Sequence, residues 1–481
     1  MNALEHDVLE VLSLVQSVKN SFAPINRIPP EVLSFIPDYR GNDKNGTDQD
    51  LIALTHVCRS WRDTIISRSS LWTRLDFKNA EKTHTYIQRS KLSPLEVYLK
   101  TDGDNAYLDS ALFLVTPHTC RIRSLTIYTK DQSNAAPVLN CALLDRDLSS
   151  LRRLGLSGVI TDLPWKNLAN LTTLSLKSCR PGRDFVTRLL DFFENTPLLR
   201  TIMLEDSIPK SSNAPSGRIV PLPRLNILAI TAKPAHSVLL KHLHIPAGAS
   251  LVLKFSFSGE RSPLRDYLPE TYTNLRNLSR ITSINLHFGA IQRFVRMNGS
   301  SGGLCILGHW DNVMVSPYDM DRRILLSLGS PVLLATRRLA VSKYEHPRPA
   351  EVEKCPVFRT LFSMDSLRTL VLNKCHNLPF ILALNPEGNS SKLLLCPNLE
   401  KLVLYVESRD QFHIDHLISM AKKRTLKDRK LSSVTIVGLG ELVLGKEVFR
   451  LREHITCVEY RVDDAQPDWD DPPDESGDES E

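Results

Sequence analysis

The 481-residue chain contains no C-x-x-C pair: its nine cysteines, an odd number, are scattered at positions 58, 120, 141, 179, 305, 355, 375, 396 and 457. That spacing argues against a zinc ribbon or a disulfide framework, and reduced, mostly buried thiols are expected. No stretch reaches the roughly 18 uninterrupted apolar residues of a membrane span. Glu5, His6, Asp7 and Glu10 interrupt the region where a signal peptide needs an apolar run. A soluble protein of the cytoplasm or nucleus, with no membrane partner, is the expectation. Also missing are G-x-S-x-G, G-x-x-x-x-G-K-[ST] and H-E-x-x-H, and the fourteen histidines show no ligand spacing. His242 and His244, or Asp319 and Asp321, lie two apart and read as solvated surface. No catalytic residue, metal ligand or cofactor is therefore assigned, and the chain is expected not to be an enzyme.

What is present has an ordinary globular balance, 42% hydrophobic and 24% charged, over a length too great for one ordinary core. Several domains or a repeat array must follow. The net charge of +6 conceals a division, because Asp463 to Glu481 hold ten acidic and no basic side chains. The remainder, with 60 basic against 44 acidic residues, carries +16. An acidic segment of this kind, 463–481, reads as a disordered tail.

A motif apolar-x-x-apolar-x-apolar recurs along most of the chain. Its clearest copies are Leu151-Leu154-Leu156, Leu171-Leu174-Leu176, Leu199-Ile202-Leu204, Leu225-Leu228-Ile230, Ile281-Ile284-Leu286, Leu367-Leu370-Leu372, Leu399-Leu402-Leu404 and Leu431-Val434-Ile436. Weaker copies are Leu92-Leu95-Val97, Ile122-Leu125-Ile127 and Ile455-Val458-Tyr460. Starts mostly 20 to 32 residues apart match the leucine-rich-repeat period. The last two apolar positions share one face of a short strand, and the first anchors the turn before it. Stacked in parallel, such strands share a core no single one could build. The fold class expected is α/β: a solenoid over 78–462, parallel strands on its concave face and helices or turns on its convex face. Phe185 to Phe193, behind Asp184 as N-cap, and Ile414 to Ala421, ending in Lys422, Lys423 and Arg424, have helical spacing. Near 287–366 the register is poor, and Gly299, Gly302, Gly303, Trp310, Pro317 and Pro331 suggest degenerate repeats with an insertion. Leu251, Leu253, Phe255 and Phe257 suggest another strand.

Strand alternation turns the intervening residues toward the concave surface: Arg153; Thr173, Ser175 and Lys177; Glu205; Asn285 and His287; Asn373; Lys401 and Tyr405. Together with their neighbours on the same strand face, Gly155, Ser157, Thr201, Met203, Ser283, Thr369, Val371 and Val403, most of that surface is small and neutral. It fits a protein substrate better than nucleic acid, whose phosphates call for dense Lys and Arg.

Ahead of the repeats, residues 23–77 form a different segment. Ile28-Pro29-Pro30-Glu31-Val32-Leu33-Ser34-Phe35-Ile36 opens a short helix with proline in its first turn. Fourteen residues from Pro37 to Asp50 read as a loop. Leu51, Leu54, Val57, Cys58, Trp61 and Ile65 then make a helical stripe, followed by Ser70-Leu71-Trp72 and a possible first strand at Trp72-Leu75-Phe77. Residues 1–22 place Leu4, Val8, Val11, Val15, Val18 and Phe22 at alternating spacings of four and three, a heptad seam. An amphipathic helix packed on the next segment is expected there, with dimerisation as the alternative.

Ile-x-x-Ile-Pro-Pro-Glu-Val-Leu, a spacer, Leu-x-x-Val-Cys-Arg-x-Trp-Arg and Ser-Leu-Trp resemble the F-box of fungal, basidiomycete-type F-box proteins with C-terminal leucine-rich repeats. The resemblance covers about 50 residues. It implies a non-catalytic adaptor that docks on a Skp-family linker and through it a cullin, for ubiquitin-dependent degradation of a protein substrate held by the repeats. The docking residues it implies are Ile28, Pro29, Pro30, Glu31, Leu33, Ile36, Leu54, Val57, Cys58, Trp61, Leu71 and Trp72. Val57, Trp61 and Leu71 could equally form the module's own core. A repeat scaffold or a nucleic-acid-associated protein acting outside a ligase is the alternative.

Overall fold

The computed structural model describes residues 3–24, 28–33, 48–102, 105–129, 146–161, 168–181, 184–207, 217–231, 236–256, 273–278, 281–288, 292–299, 302–309, 335–343, 356–385, 395–406, 413–439 and 445–463. They fall into two compact units, Met1–Gly182 and Arg183–Glu481.

The first unit begins with helices: α1 (Ala3–Ser21), α2 (Pro30–Leu33), α3 (Asp48–Thr55), α4 (Arg59–Ser67) and a 3-10 turn, Ser69–Trp72. There follow β1 (Arg74–Leu75), α5 (Ala80–Arg89), β2 (Leu95–Thr101), α6 (Asn105–Val115), β3 (Ile122–Thr129), β4 (Arg153–Ser157), β5 (Ile160–Thr161), β6 (Thr173–Lys177) and β7 (Arg180–Pro181). Strands β1, β2, β3, β4 and β6 pair in that order, all parallel, while β5 and β7 make a separate pair. Their register lines up Leu75, Val97, Leu125, Leu154 and Leu174 in one row, and Leu99, Ile127, Leu156 and Leu176 in the next. All nine are buried. Each such side chain contributes about 1.5–3 kcal/mol relative to exposure, and the rows make that burial continuous.

In the second unit come α7 (Phe185–Glu194), β8 (Thr201–Glu205), β9 (Val220–Pro221), β10 (Ile227–Thr231), α8 (His236–Lys241), β11 (Leu243–His244), β12 (Ser250–Ser256), β13 (Ser283–Phe288), β14 (Gln292–Asn298) and β15 (Gly303–His309). The chain continues with β16 (Arg338–Ser342), α9 (Pro356–Phe362), β17 (Thr369–Asn373), α10 (Asn377–Leu384), β18 (Lys401–Val406), α11 (Ile414–Leu426), β19 (Ser433–Leu439), α12 (Gly445–Arg452) and β20 (Cys457–Asp463). The strand order is β8-β10-β12-β15-β14-β13-β16-β17-β18-β19-β20. Every pairing is parallel except those of β14, which is antiparallel to both neighbours.

The irregular stretch is thus a three-stranded antiparallel meander, β13 to β15, laid into the sheet in reverse order. Its copies look degenerate because β16 follows β13 in space rather than β15. Gly303 explains one glycine of the stretch: a Cβ there would collide with the carbonyl oxygen of Met297 across the meander. Trp310, Pro317 and Pro331 lie outside the described residues, as does Phe257.

Two local devices recur beside the strands. The residue just past β4, β6, β8, β16 and β17 has left-handed φ: Gly158 at 68°, Ser178 at 48°, Asp206 at 47°, Lys343 at 54° and Lys374 at 50°. In two of these turns the next residue is a buried cysteine whose thiol donates to the preceding strand, Cys179 to Leu156 O at 3.4 Å and Cys375 to Val341 O at 3.3 Å. A second device precedes the motif. Leu148, Leu168, Thr196, Leu222, Met364 and Cys396 are buried three residues before the first leucine. Each accepts a hydrogen bond from that leucine's N–H, at 2.9 to 3.2 Å.

Several expectations are corrected. Leu92 is 92% exposed and anchors nothing. Its turn is held instead by Arg121, whose Nη1 donates to Ser90 Oγ at 2.9 Å, to Ser93 O at 3.2 Å and to Lys91 O. Asp184 does stand at the N-cap of α7, but in a left-handed conformation, φ 62°, and without a side-chain cap bond. Arg424, in the last turn of the helix that begins at Ile414, is fully buried rather than part of a solvated basic end. Asp463 belongs to β20, paired in register with Leu439, and the acidic segment beyond it lies outside the described residues.

Candidate functional site

The helical segment ahead of β1 is built around few side chains. In α4, Trp61 and Ile65 lie four apart, on one face, and both are buried. Trp72, on the 3-10 turn, is also fully buried and donates its indole N–H to Ile65 O at 2.9 Å, closing the turn back on the helix. Its ring meets Tyr86 of α5 edge to face at 4.9 Å between centroids, and the Arg89 guanidinium lies 4.4 Å from the ring centre. Ser69 and Ser93 hydroxyls bond at 2.7 Å, tying the turn to the start of β2.

The stripe from Leu51 to Ile65 is two helices, not one. Cys58 is extended, φ −158° and ψ 174°, and it stands as N-cap of α4. The bonds His56 N to Ala53 O and Val57 N to Leu54 O end α3 in a tight turn. Val57 therefore leaves the buried stripe and is 53% exposed. Val32 and Ile52 are exposed too, as are Pro29 and Glu31, while Ile28, Leu54, Cys58 and Leu71 are half-buried. Trp61 and Trp72, expected as docking residues, are the core that holds the others in place. Pro30 and Leu33 lie on α2; Ile36 lies outside the described residues.

Helix α1 touches this segment through its polar side: Arg59 Nη2 of α4 donates to Ser13 Oγ. Ser13 is half-buried, whereas Val8, Leu9, Val11, Leu12, Leu14, Val15, Val18 and Phe22 are exposed. The expected packing of the apolar seam onto the next segment is thereby corrected. The seam lies two residues, or about 200°, around the helix from the residue that makes the contact.

The strand-face residues separate by burial. In the first unit Arg153, Thr173, Ser175 and Lys177 lie on adjacent strands, with Arg153 Nη2 on Glu96 Oε1 at 2.9 Å and Lys177 exposed. In the second, Glu205 and Tyr405 are half-buried, Lys401 is exposed, and Asn285 Oδ1 accepts from Arg338 Nη1 at 3.2 Å. His287 and Asn373, each 7% exposed, are corrected from surface to interior. Register places them on either side of Ser342, whose Oγ lies 2.8 Å from His287 Nδ1; Asn373 Oδ1 has no hydrogen-bond partner among the described residues. Both faces of β16 and β17 are buried here, so period-two alternation does not separate core from surface. Arg338 and Ser342 went unassigned because Thr336, fully buried, stands where the motif has an apolar anchor. The remaining signal was Leu339-x-Val341.

Among the described residues no group of histidine, cysteine and carboxylate side chains could hold a metal ion, and no helix is long and apolar enough to cross a membrane.

Residues 25–78 match the protein-family model described as F-box-like. No curated protein matches the chain. F-box domains generally bind Skp-type linkers in cullin complexes, so the match suggests a role in a ligase of that kind.

Proposed function

We propose that the chain is the substrate-recognition adaptor of a Skp–cullin–F-box ubiquitin ligase, its F-box-like segment docking on the linker and its strand-and-helix units binding a protein substrate as leucine-rich repeats. The observation that carries this reading is the F-box-like match at 25–78 over a segment with Trp61, Ile65 and Trp72 inside and Pro29, Val32, Ile52 and Val57 outside. A small helical unit that leaves apolar side chains in water gains stability when a partner covers them. The repeat reading is supported by strands in register, by left-handed turns after them and by cysteines three residues past the second strand leucine. Leu-x-x-Leu-x-Leu-x-x-Cys is the leucine-rich-repeat pattern. The adaptor supplies no catalytic group, and ubiquitin transfer belongs to other subunits.

Co-expression with a Skp-family linker and cullin tests the reading. The unaltered chain should retain both on affinity capture. Val57→Asp and the Ile28→Ala, Pro29→Ala pair should lose the linker with little change in unfolding temperature, since Val57 and Pro29 are exposed and Ile28 is only half-buried. Trp61→Ala should lose it by unfolding the segment, at about 3–5 kcal/mol. Undiminished capture by all three variants would refute the adaptor reading.

A further inference from the structure

The end of α11 and the turn after it gather exposed cations. Lys422, Lys427, Arg429 and Lys430 all face water, with Asp428 the one acid in that run. The backbone fixes the turn: Arg424 O accepts from Lys427 N at 3.1 Å and from Arg429 N at 2.9 Å, and Asp428 takes a left-handed φ of 58°. Arg429 Nη1 reaches Asn398 Oδ1 at 3.3 Å on the preceding turn. Register sets Lys401, also exposed, beside Ser433, where β19 leaves the turn. Glu400, whose carbonyl accepts from Ser432, has its carboxylate matched to Arg368 at 3.4 Å. Among the described residues no carboxylate pairs with Lys401, Lys422, Lys427, Arg429 or Lys430.

The acidic segment of the same chain has the charge and the reach to fill this place. Residues 464–481 hold nine acidic and no basic side chains. Strand β20 pairs with β19 from Cys457 on Ser433 to Asp463 on Leu439, so the segment leaves the sheet about 20 Å along the strands from the turn. Extended chain covers about 23 Å from Asp463 to Asp470 and about 40 Å to Glu475, which brings Asp470, Asp471, Asp474 and Glu475 within range. A tether whose length matches the span gives an effective concentration on the order of millimolar, so the segment outcompetes a free anion of similar affinity.

We propose that residues 464–481 dock in cis on the turn after α11, where their carboxylates pair with Lys427, Arg429 and Lys430 and shield the basic start of β18 and β19 from other polyanions. Each exposed pair is weak; the segment acts by number and by its tether, and salt weakens it. The inference is independent of ligase assembly.

The 481-residue chain treated with a carbodiimide at low ionic strength should form amide links from Lys427 or Lys430 to carboxylates of 464–481 within one monomer, read by peptide mass spectrometry. Most should be lost at about 1 M salt, where charges are screened beyond about 3 Å. Cleavage after Glu475 by a glutamate-specific protease should quicken severalfold when Lys427→Gln, Arg429→Gln and Lys430→Gln are combined. The unfolding temperature should barely move, because all three side chains are exposed. A single-stranded oligonucleotide, used as a polyanion probe, should bind severalfold tighter once Asp470→Asn, Asp471→Asn, Asp474→Asn and Glu475→Gln neutralise the segment. That gain should vanish when the three cations of the turn are replaced as well. Links that run only to other lysines, or only between chains, would overturn the proposal. So would a cleavage rate indifferent to the turn, or oligonucleotide binding that is unchanged by neutralising the segment or whose gain survives loss of the three cations.

Discussion

Two regions of the first unit handle apolar surface in opposite ways. Along β2, β3, β4 and β6 the inward residues are 0–3% exposed, each row continuing from one strand to the next. In the helices before them, three large side chains are buried while Val32, Ile52 and Val57 stand at 39–53% exposure. The helical segment also borrows cover, since Tyr86 and Arg89, which pack on Trp72, lie past residue 78, where the F-box-like match ends. A strand run satisfies itself by repetition; the helical segment is completed by α5 on one side and leaves Val32, Ile52 and Val57 in water on the other.

The comparison breaks most sharply at the rows. Leu174 and Leu370 sit fully buried in the middle of parallel strands, and a carboxylate at either place has no partner. Leu174→Asp and Leu370→Asp should each cost about 3–5 kcal/mol, enough to unfold the unit that carries the residue. Chemical denaturation with circular dichroism checks this. A folded variant with an unshifted midpoint would mean the rows are not continuous cores.

How much of this was legible in sequence depends on period. Leu-x-x-Leu-x-Leu announces strands because alternate residues share a face, and the anchors of β4, β6, β8 and β17 fell where that motif put them. Thr336 hid β16 because the position needs burial rather than a leucine. The reversed meander was illegible, since strand order in space leaves no mark on local pattern. In the helical segment the Trp61 motif was plain, yet its apolar stripe was misjudged: a helical wheel drawn through Val57 assumes one helix where Cys58 makes two. For α1 the spacing identified the seam but not what it faces.

A middle-sized effect lies in the second unit, where a charge is buried on purpose of geometry. Arg424 of α11 donates to Leu395 O at 3.1 Å and to Cys396 O at 2.8 Å, bracing the turn whose Cys396 has φ 47°. Arg424→Met keeps the stem but takes its donor from Leu395 O and leaves Cys396 O with the Leu399 N–H, and should cost about 1–3 kcal/mol. Burial pushes the Cys396 thiol up to about 12, from an ordinary 9.0, with Arg424 opposing the rise. The folded state thus favours the neutral thiol. Its contribution is fully present below pH 9 and is lost as pH climbs from there toward 12. Cys396→Ala should flatten the alkaline fall of the unfolding temperature. A variant whose temperature falls as steeply as the unaltered chain's would show that the thiol stays protonated or out of play.

The smallest effect comes from another arginine, one helix later. Arg450 of α12 reaches Asp415 of α11 at 2.7 Å, a shorter contact than either Arg424 bond, yet the two side chains are 57% and 76% exposed. Distance alone would rank this pair first. Water reverses the order, because an exposed ion pair gains little over its hydrated parts, loses side-chain freedom and is screened by salt. Arg450→Met should therefore move stability by less than about 0.5 kcal/mol, and the shift should vanish at high ionic strength. Measuring Arg424→Met and Arg450→Met side by side in low and high salt sets burial against contact length directly. A loss at Arg450 equal to that at Arg424, and insensitive to salt, would mean that α11 and α12 are held together by charge rather than by the buried rows beneath them.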